Sequence, residues 1–275
     1  MKGRRAFFRS CGLAWWLLLG SRAFGASDLP IRVLHPGGSL HGFMVLKDER
    51  GELLADGDFV QFVSGPNRIK SELTFHFKDG SLQQEITIYS QRRFFHLLSD
   101  HLIQKGPAFK QQMDLYVNGA TGDVTVRYSD EHEQEKVVKQ HMDLPANLAN
   151  GLAPTMLQNI PASQPEVAFA MVVATPKPRI VKLNIRAEGE DTFSVGATSC
   201  KARRYLAKFD IGGVAGIVAG IAGKQPPDSH FWIVPGVAPL LIKSTSPQFE
   251  GGPLWEIDLV SPAGPKENRE DSEEK

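Results

Sequence analysis

The chain has 275 residues, 41% apolar and 23% charged, with 31 basic against 31 acidic side chains. That apolar share supplies a core and argues against a disordered chain, and without a basic excess there is no footprint for nucleic-acid binding. Two cysteines, Cys11 and Cys200, are too few for a disulfide scaffold.

Residues 1–25 read as an export signal. Lys2, Arg4, Arg5 and Arg9 precede a short apolar run from Cys11 to Gly20, and Ala23-Phe24-Gly25 follows with small residues around a cleavable bond. The run is too short to span a bilayer. Gly3-Arg4-Arg5-Ala6-Phe7-Phe8-Arg9 resembles a twin-arginine motif, with Gly3 where Ser or Thr is usual. Export by the Sec or the twin-arginine route therefore stays open, with a periplasmic or secreted bacterial location in either case. The segment holds five of the basic residues and none of the acidic ones, so the remainder carries 26 against 31, a net of −5. Cys200 is then the one remaining cysteine, and it is expected to be buried as a small apolar side chain.

The body reads as strands. In 71–78, Leu73, Phe75 and Phe77 alternate with polar residues; Asp79-Gly80 follows, and 81–89 resumes with Leu82, Ile86 and Ile88. Period-two segments joined by Asp-Gly predict a hairpin. Further strands are expected over 94–104, 113–117, 124–128 and 135–142, with a turn at 118–122. Residues 148–160 then place apolar side chains at 148, 152, 156, 157 and 160, a helical spacing interrupted by Pro154. Strands return over 167–174, 180–187, 192–195, 203–211, 231–234, 239–243 and 254–260, with Glu188-Gly189 as a turn. The strands before and after the helix can form two halves of one sheet. The fold class is mainly β: an antiparallel, strongly curved sheet, a barrel or half-barrel, with one or two short helices. One domain spans 26–262, and the charged tail 263–275 is expected to be disordered.

Few segments suggest chemistry. Residues 211–223 contain Gly212, Gly216 and Gly220 at every fourth position and no charge; they read as a small-residue segment tucked against the sheet or a flap over an apolar cavity. Ser99-Asp100-His101 sets three catalytic residue types side by side, but alternation points Asp100 away from its neighbours, and no G-x-S-x-G elbow accompanies them. His96 and His101, five apart, would face opposite sides of a regular strand. Asp130-Glu131-His132-Glu133 reads as a solvated turn. No metal-ligand motif occurs, so neither a metal nor a cofactor is expected. Arg92-Arg93 and Arg203-Arg204 each place one arginine on each face, and an inward arginine would need a carboxylate or an anionic ligand. Arg93, Arg204 and Trp232 are the candidate ligand-binding residues.

The runs Phe193-Ser-Val-Gly196, Ala202-Arg-Arg-Tyr205, Lys208-Phe-Asp-Ile-Gly-Gly213, His230-Phe-Trp-Ile-Val-Pro235 and Pro239-Leu-Leu-Ile-Lys243 resemble the closing strands of secreted bacterial β-rich proteins of unknown function. The 75–90 hairpin and Leu97-Leu-Ser-Asp-His101 resemble their first half. The likeness extends distantly to periplasmic half-barrels that carry lipids or lipoproteins. It implies a curved sheet and an envelope location, and it brings no catalytic residues.

Three functions are compatible with these features. The first is non-enzymatic binding of a lipid or other apolar or amphipathic ligand on the curved sheet. The second is a structural or partner-binding envelope protein with a solid core. The third, least supported by the motifs, is a hydrolase or metal-dependent enzyme. No membrane span follows the signal, and nothing in the pattern bears on the oligomeric state.

Overall fold

Alternating side chains produce strands here because each inward residue finds cover and each outward one finds water. The computed structural model describes residues 29–130, 132–195, 198–210 and 226–260. The expected export signal, the glycine-rich 211–223 and the tail 263–275 lie outside the described residues. Among the described residues, fourteen strands form one antiparallel sheet. In chain order they are β1 (Leu40–Lys47), β2 (Leu53–Gly65), β3 (Arg68–Phe77), β4 (Leu82–Gln91), β5 (Phe95–Lys105), β6 (Met113–Asn118), β7 (Asp123–Ser129) and β8 (Glu135–His141). After a 3-10 turn (Asn150–Leu152) and α1 (Ala153–Leu157) come β9 (Glu166–Val172), β10 (Ile180–Val195), β11 (Thr198–Asp210), β12 (Ser229–Val234), β13 (Leu240–Pro247) and β14 (Leu254–Val260).

The strand order runs β8 to β1, then β14 back to β9. Each half is a meander, and β1 pairs with β14 to join them, Val45 opposite Asp258. The expectation of two halves in one sheet is met. Five register shifts, at Leu46/Lys47, Val63/Gly65, Ile88/Tyr89, Ala187/Gly189 and Trp232/Ile233, bend the strands, and bulges are the usual source of such curvature.

The segment 148–160 fills the hollow. Leu148, Leu152, Met156 and Leu157 are buried in one cluster with Leu97, Leu115 and Val126 from the first half and Phe169, Ile185 and Tyr205 from the second. Pro154 sits in the first turn of α1, where its missing N–H costs nothing, so the helix is a five-residue piece rather than a longer rod. The N-terminal strap is tied to this plug: the Leu34 and His35 amides both donate to Asn159 Oδ1, at 2.9 and 2.7 Å.

The plug also closes a sheet edge. Ala149 N donates to Ala170 O, Ala170 N to Asn147 O, and Asn147 Nδ2 to Ala168 O. Asn150 takes both groups of Val172, Nδ2 donating to its carbonyl and Oδ1 accepting its amide, each at 3.0 Å. These residues occupy the edge of β9 that has no neighbouring strand. At the opposite end of the sheet, β8 carries no such cover among the described residues.

Four sequence expectations are corrected. Two strands, β1 and β2, precede the first one expected. Glu188-Gly189 is a bulge inside one long β10, not a turn between two strands. Leu98 is the extra residue of a bulge, since Ile88 pairs with Ser99 and Tyr89 with Leu97. That slip puts His96 and His101 on the same outer face, opposite Ser90 and Ile86. Cys200 is partly exposed rather than buried.

Candidate functional site

The inner face of β4 is polar. Gln83, Glu85, Thr87 and Tyr89 point inward and meet Gln104, Leu102, Asp100 and Leu97 of β5. The apolar residues Leu82, Ile86 and Ile88 lie on the outer face. Tyr89 OH donates to Gln61 Oε1 at 3.1 Å. Gln104 Nε2 donates to Gln83 Oε1 at 3.0 Å and to the Gln248 carbonyl at 2.7 Å, which links the first half of the sheet to the β13–β14 connection.

At the centre lie two carboxyls. Asp100 is 0% exposed. Thr87 Oγ1 donates to its Oδ1 at 2.8 Å, while Oδ2 has no hydrogen-bond partner among the described residues. Burial pushes Asp100 up to about 6, against smaller opposing effects led by the Thr87 hydrogen bond. Burial, and then the charge of Asp100, pushes Glu85 well above the ordinary carboxylate range. Gly151 of the plug sits directly on this group: a Cβ there would overlap Thr87 Oγ1 and lie 2.7 Å from Asp100 Oδ1 and 2.9 Å from Glu85 Cδ. The plug thus lies over Asp100, which is closed to solvent, while Glu85 beside it is partly exposed.

Open space lies at one end of the sheet, where four connections converge. The β5–β6 and β13–β14 connections, the β7–β8 turn and the residues after β9 enclose a cleft of about 640 Å³. Phe109, Met113, Phe249 and Pro176 supply apolar wall, while Gln104, Gln111, Lys110 and Glu250 supply polar groups. Phe109 and Phe249 are backed by Trp255, at ring-centroid distances of 6.0 and 5.6 Å, and Trp255 packs on Phe77 at 5.4 Å. Arg179 ties the rim by a 3.1 Å bond to Glu250. The sequence hid this site because its residues come from connections far apart in the chain.

The three residues expected to bind ligand are placed apart from this cleft. Arg204 and Trp232 are directly opposed across β11 and β12. They lie on the outer face, because Tyr205 and Ile233 on the alternate face join the core. Asp191 joins them: Arg204 Nη1 donates to it at 2.9 Å and Trp232 Nε1 at 2.6 Å. Glu188 lies 3.6 Å from Arg204 Nε. A charged row continues across the sheet through Lys243, above the Trp232 ring at 5.7 Å, to Asp258 and then Lys47, 2.6 Å from that carboxylate. Arg93 is exposed in the β4–β5 turn, with its guanidinium 5.4 Å from the Phe94 ring.

Histidine–carboxylate pairs occur at His41–Asp58, His101–Asp114, His141–Asp123 and His230–Glu188, at 2.6, 3.0, 3.3 and 3.6 Å. None of these histidines lines the cleft. In the suspected turn, Asp130 Oδ1 accepts the His132 and Gln134 amides, both at 2.9 Å.

Fold and site define a class: a strongly curved, one-sheet antiparallel β protein, its hollow plugged by its own central segment, with a cleft at one end. No protein-family model matches the chain, and no curated relative does. Among solved structures it is similar to a beta-barrel-like protein of the domain of unknown function DUF1849 from Brucella abortus, with a TM-score of 0.42 and 10% identity over 82% of this chain and 96% of that one. It is also similar to a lipoprotein candidate from Parabacteroides distasonis, with a TM-score of 0.31 and 8% identity over 84% of this chain and 98% of that one. No helix among the described residues is long and apolar enough to cross a membrane.

Proposed function

We propose that this is an exported bacterial envelope protein that binds an apolar or amphipathic ligand without catalysis, and that the ligand enters the end cleft. The observation that carries this reading is the cleft's composition: an aromatic wall of Phe109 and Phe249 beside the polar Gln104, Lys110 and Glu250. Such a wall takes an alkyl or other apolar body, and the polar groups orient a head group. The plug occupies the broad concave face, so the ligand lies at the end of the sheet rather than along it. Arg204 and Trp232 form a separate candidate contact, where an anionic group would have to displace Asp191. Arg93 is an accessible cation at a turn outside the cleft. These relations favour the cleft over the three residues first expected.

The test is native mass spectrometry of the protein purified from its own envelope, joined to titration with oleate and with lysophosphatidylcholine. A retained mass and a shift in Trp255 emission are expected, and Phe109→Asp removes both. No retained mass, with Trp255 emission unchanged by either lipid, overturns the reading.

A second reading, a partner-binding envelope protein with a solid core, draws on the filling of the hollow by 148–160. A pull-down from envelope extract that recovers no reproducible partner counts against it.

A further inference from the structure

The sheet has two ends, and they are treated differently. The edge of β9 is closed by Asn147, Ala149 and Asn150. The edge of β8 is open among the described residues, and its side chains are exposed except Val138. The direction of its backbone groups follows from its two ends. Asp130 N bonds Gln134 O, and Met142 N bonds Gly122 O. Even-numbered residues therefore face β7, and antiparallel alternation leaves the N–H and C=O groups of 135, 137, 139 and 141 pointing away from the sheet.

We propose that the β8 edge pairs with the β8 edge of a second copy of this chain, antiparallel about a two-fold axis at Val137. In that register Glu135 of each copy lies opposite Lys139 of the other, and Val137 lies opposite Val137. All three positions share the outer face of the sheet. Val137 is 48% exposed in the single chain, an apolar side chain standing between a carboxylate and an ammonium. A one-residue slip, with the axis at Val138, sets Val137 against Lys139 and loses both ion pairs. An axis at Lys136 or Lys139 sets like charges directly opposite, which is destabilising. The sequence 135–141, Glu-Lys-Val-Val-Lys-Gln-His, is thus self-complementary in charge at one register.

Lysines on an edge strand ordinarily discourage pairing. Here the same lysine discourages every partner that lacks a carboxylate at the matching place. The closed β9 edge has a further consequence. With one open edge among the described residues of each chain, pairing is isologous and stops at two copies, whereas two open edges would permit a fibre. A single short strand pair buries less surface than a standard interface, so the dimer is weak. Its exposed ion pairs make it sensitive to salt. The inference rests on β8 alone and does not depend on the cleft or its ligand.

Sedimentation velocity over a concentration series tests it. The protein is expected to show a reversible monomer–dimer equilibrium that shifts toward monomer as salt rises. Lys139→Glu alone, or Glu135→Lys alone, weakens the dimer by about tenfold or more, because each change turns both cross-strand pairs repulsive. The double exchange of Glu135→Lys with Lys139→Glu restores it. The folded state of each variant is checked by circular dichroism, and the exposed positions predict no loss. A protein that stays monomeric at every concentration, or a dimer indifferent to the single charge reversals, overturns the proposal, as does a double exchange that fails to rescue.

Discussion

Thr87 and Asp100 face each other across β4 and β5 on the inner side of the sheet, and their 2.8 Å hydrogen bond lies directly beneath Gly151. The contact joins three parts of the chain: two strands of one hairpin and the plug that follows β8. It makes the plug's docking depend on a polar group rather than on apolar packing alone.

Gly151→Ala is expected to destabilise the protein by about 1–3 kcal/mol, the usual cost of overpacking a filled site. The added methyl has no free direction, since Thr87, Asp100 and Glu85 all stand within its reach. Urea denaturation measures the loss. A variant as stable as the parent would show that the plug does not seat on this hairpin.

The carboxyl pair predicts a pH dependence. Asp100 has a folded value of about 6 against an ordinary 3.8, and Glu85 is raised as well. Between those values the folded state binds more protons than the unfolded state, so stability falls as pH rises through that window. Asp123 and Asp130 are shifted downward and act the opposite way on the acid side. The comparison of wild type with Glu85→Gln cancels their effect. Glu85→Gln is expected to flatten the fall in urea midpoint between about pH 4 and pH 7 and to raise stability at neutral pH. An unchanged slope would remove the pair from this role.

Asn150 holds both backbone groups of Val172 and has a φ of 39°, a region that asparagine tolerates better than most residues. Asn150→Ala leaves a buried donor and acceptor unpaired and adds backbone strain, for a loss on the order of 3 kcal/mol. Asn150→Gly relieves the strain but not the missing bonds, so it should fall between alanine and wild type. Hydrogen exchange at the Val172 amide should accelerate in both variants.

Asp191 receives hydrogen bonds from Arg204 and from the Trp232 indole. Asp191→Ala is expected to cost about 1–2 kcal/mol, since hydrogen bonds to a charged acceptor exceed neutral ones but this site is partly open to water. Trp232 emission should shift to longer wavelength as its N–H turns to solvent. Stability and emission both unchanged would mean that the outer charged row is a surface feature with no coupling to the sheet.

Most of the strands were legible from period-two alternation, and the Asp79-Gly80 hairpin was legible from its turn residues. β2 was not, because Asp56-Gly57 imitates a turn. Gly57 in fact sits inside the strand, where the Phe75 ring leaves no space for a Cβ. β4 was placed correctly, but which of its faces turns inward was not legible. Its isoleucines point outward, while Gln83, Glu85, Thr87 and Tyr89 point in, since β2, β5 and the β13–β14 connection supply polar partners that no local pattern announces. Leu98 bulges, and one extra residue was enough to reverse the expected relation of His96 and His101.

Alternation along the chain, with a short interrupted helix at its middle, determined the β class and the division into two runs of strands. Local side-chain periodicity decides which segments extend, and it needs no distant partner. Only the tertiary structure decided that β1 meets β14, that 148–160 fills the hollow and closes the β9 edge, and that four connections form a cleft. Those relations join residues from 21 to more than 200 positions apart, and they depend on register, bulges and hydrogen-bond partners that become defined when the sheet curves around its plug.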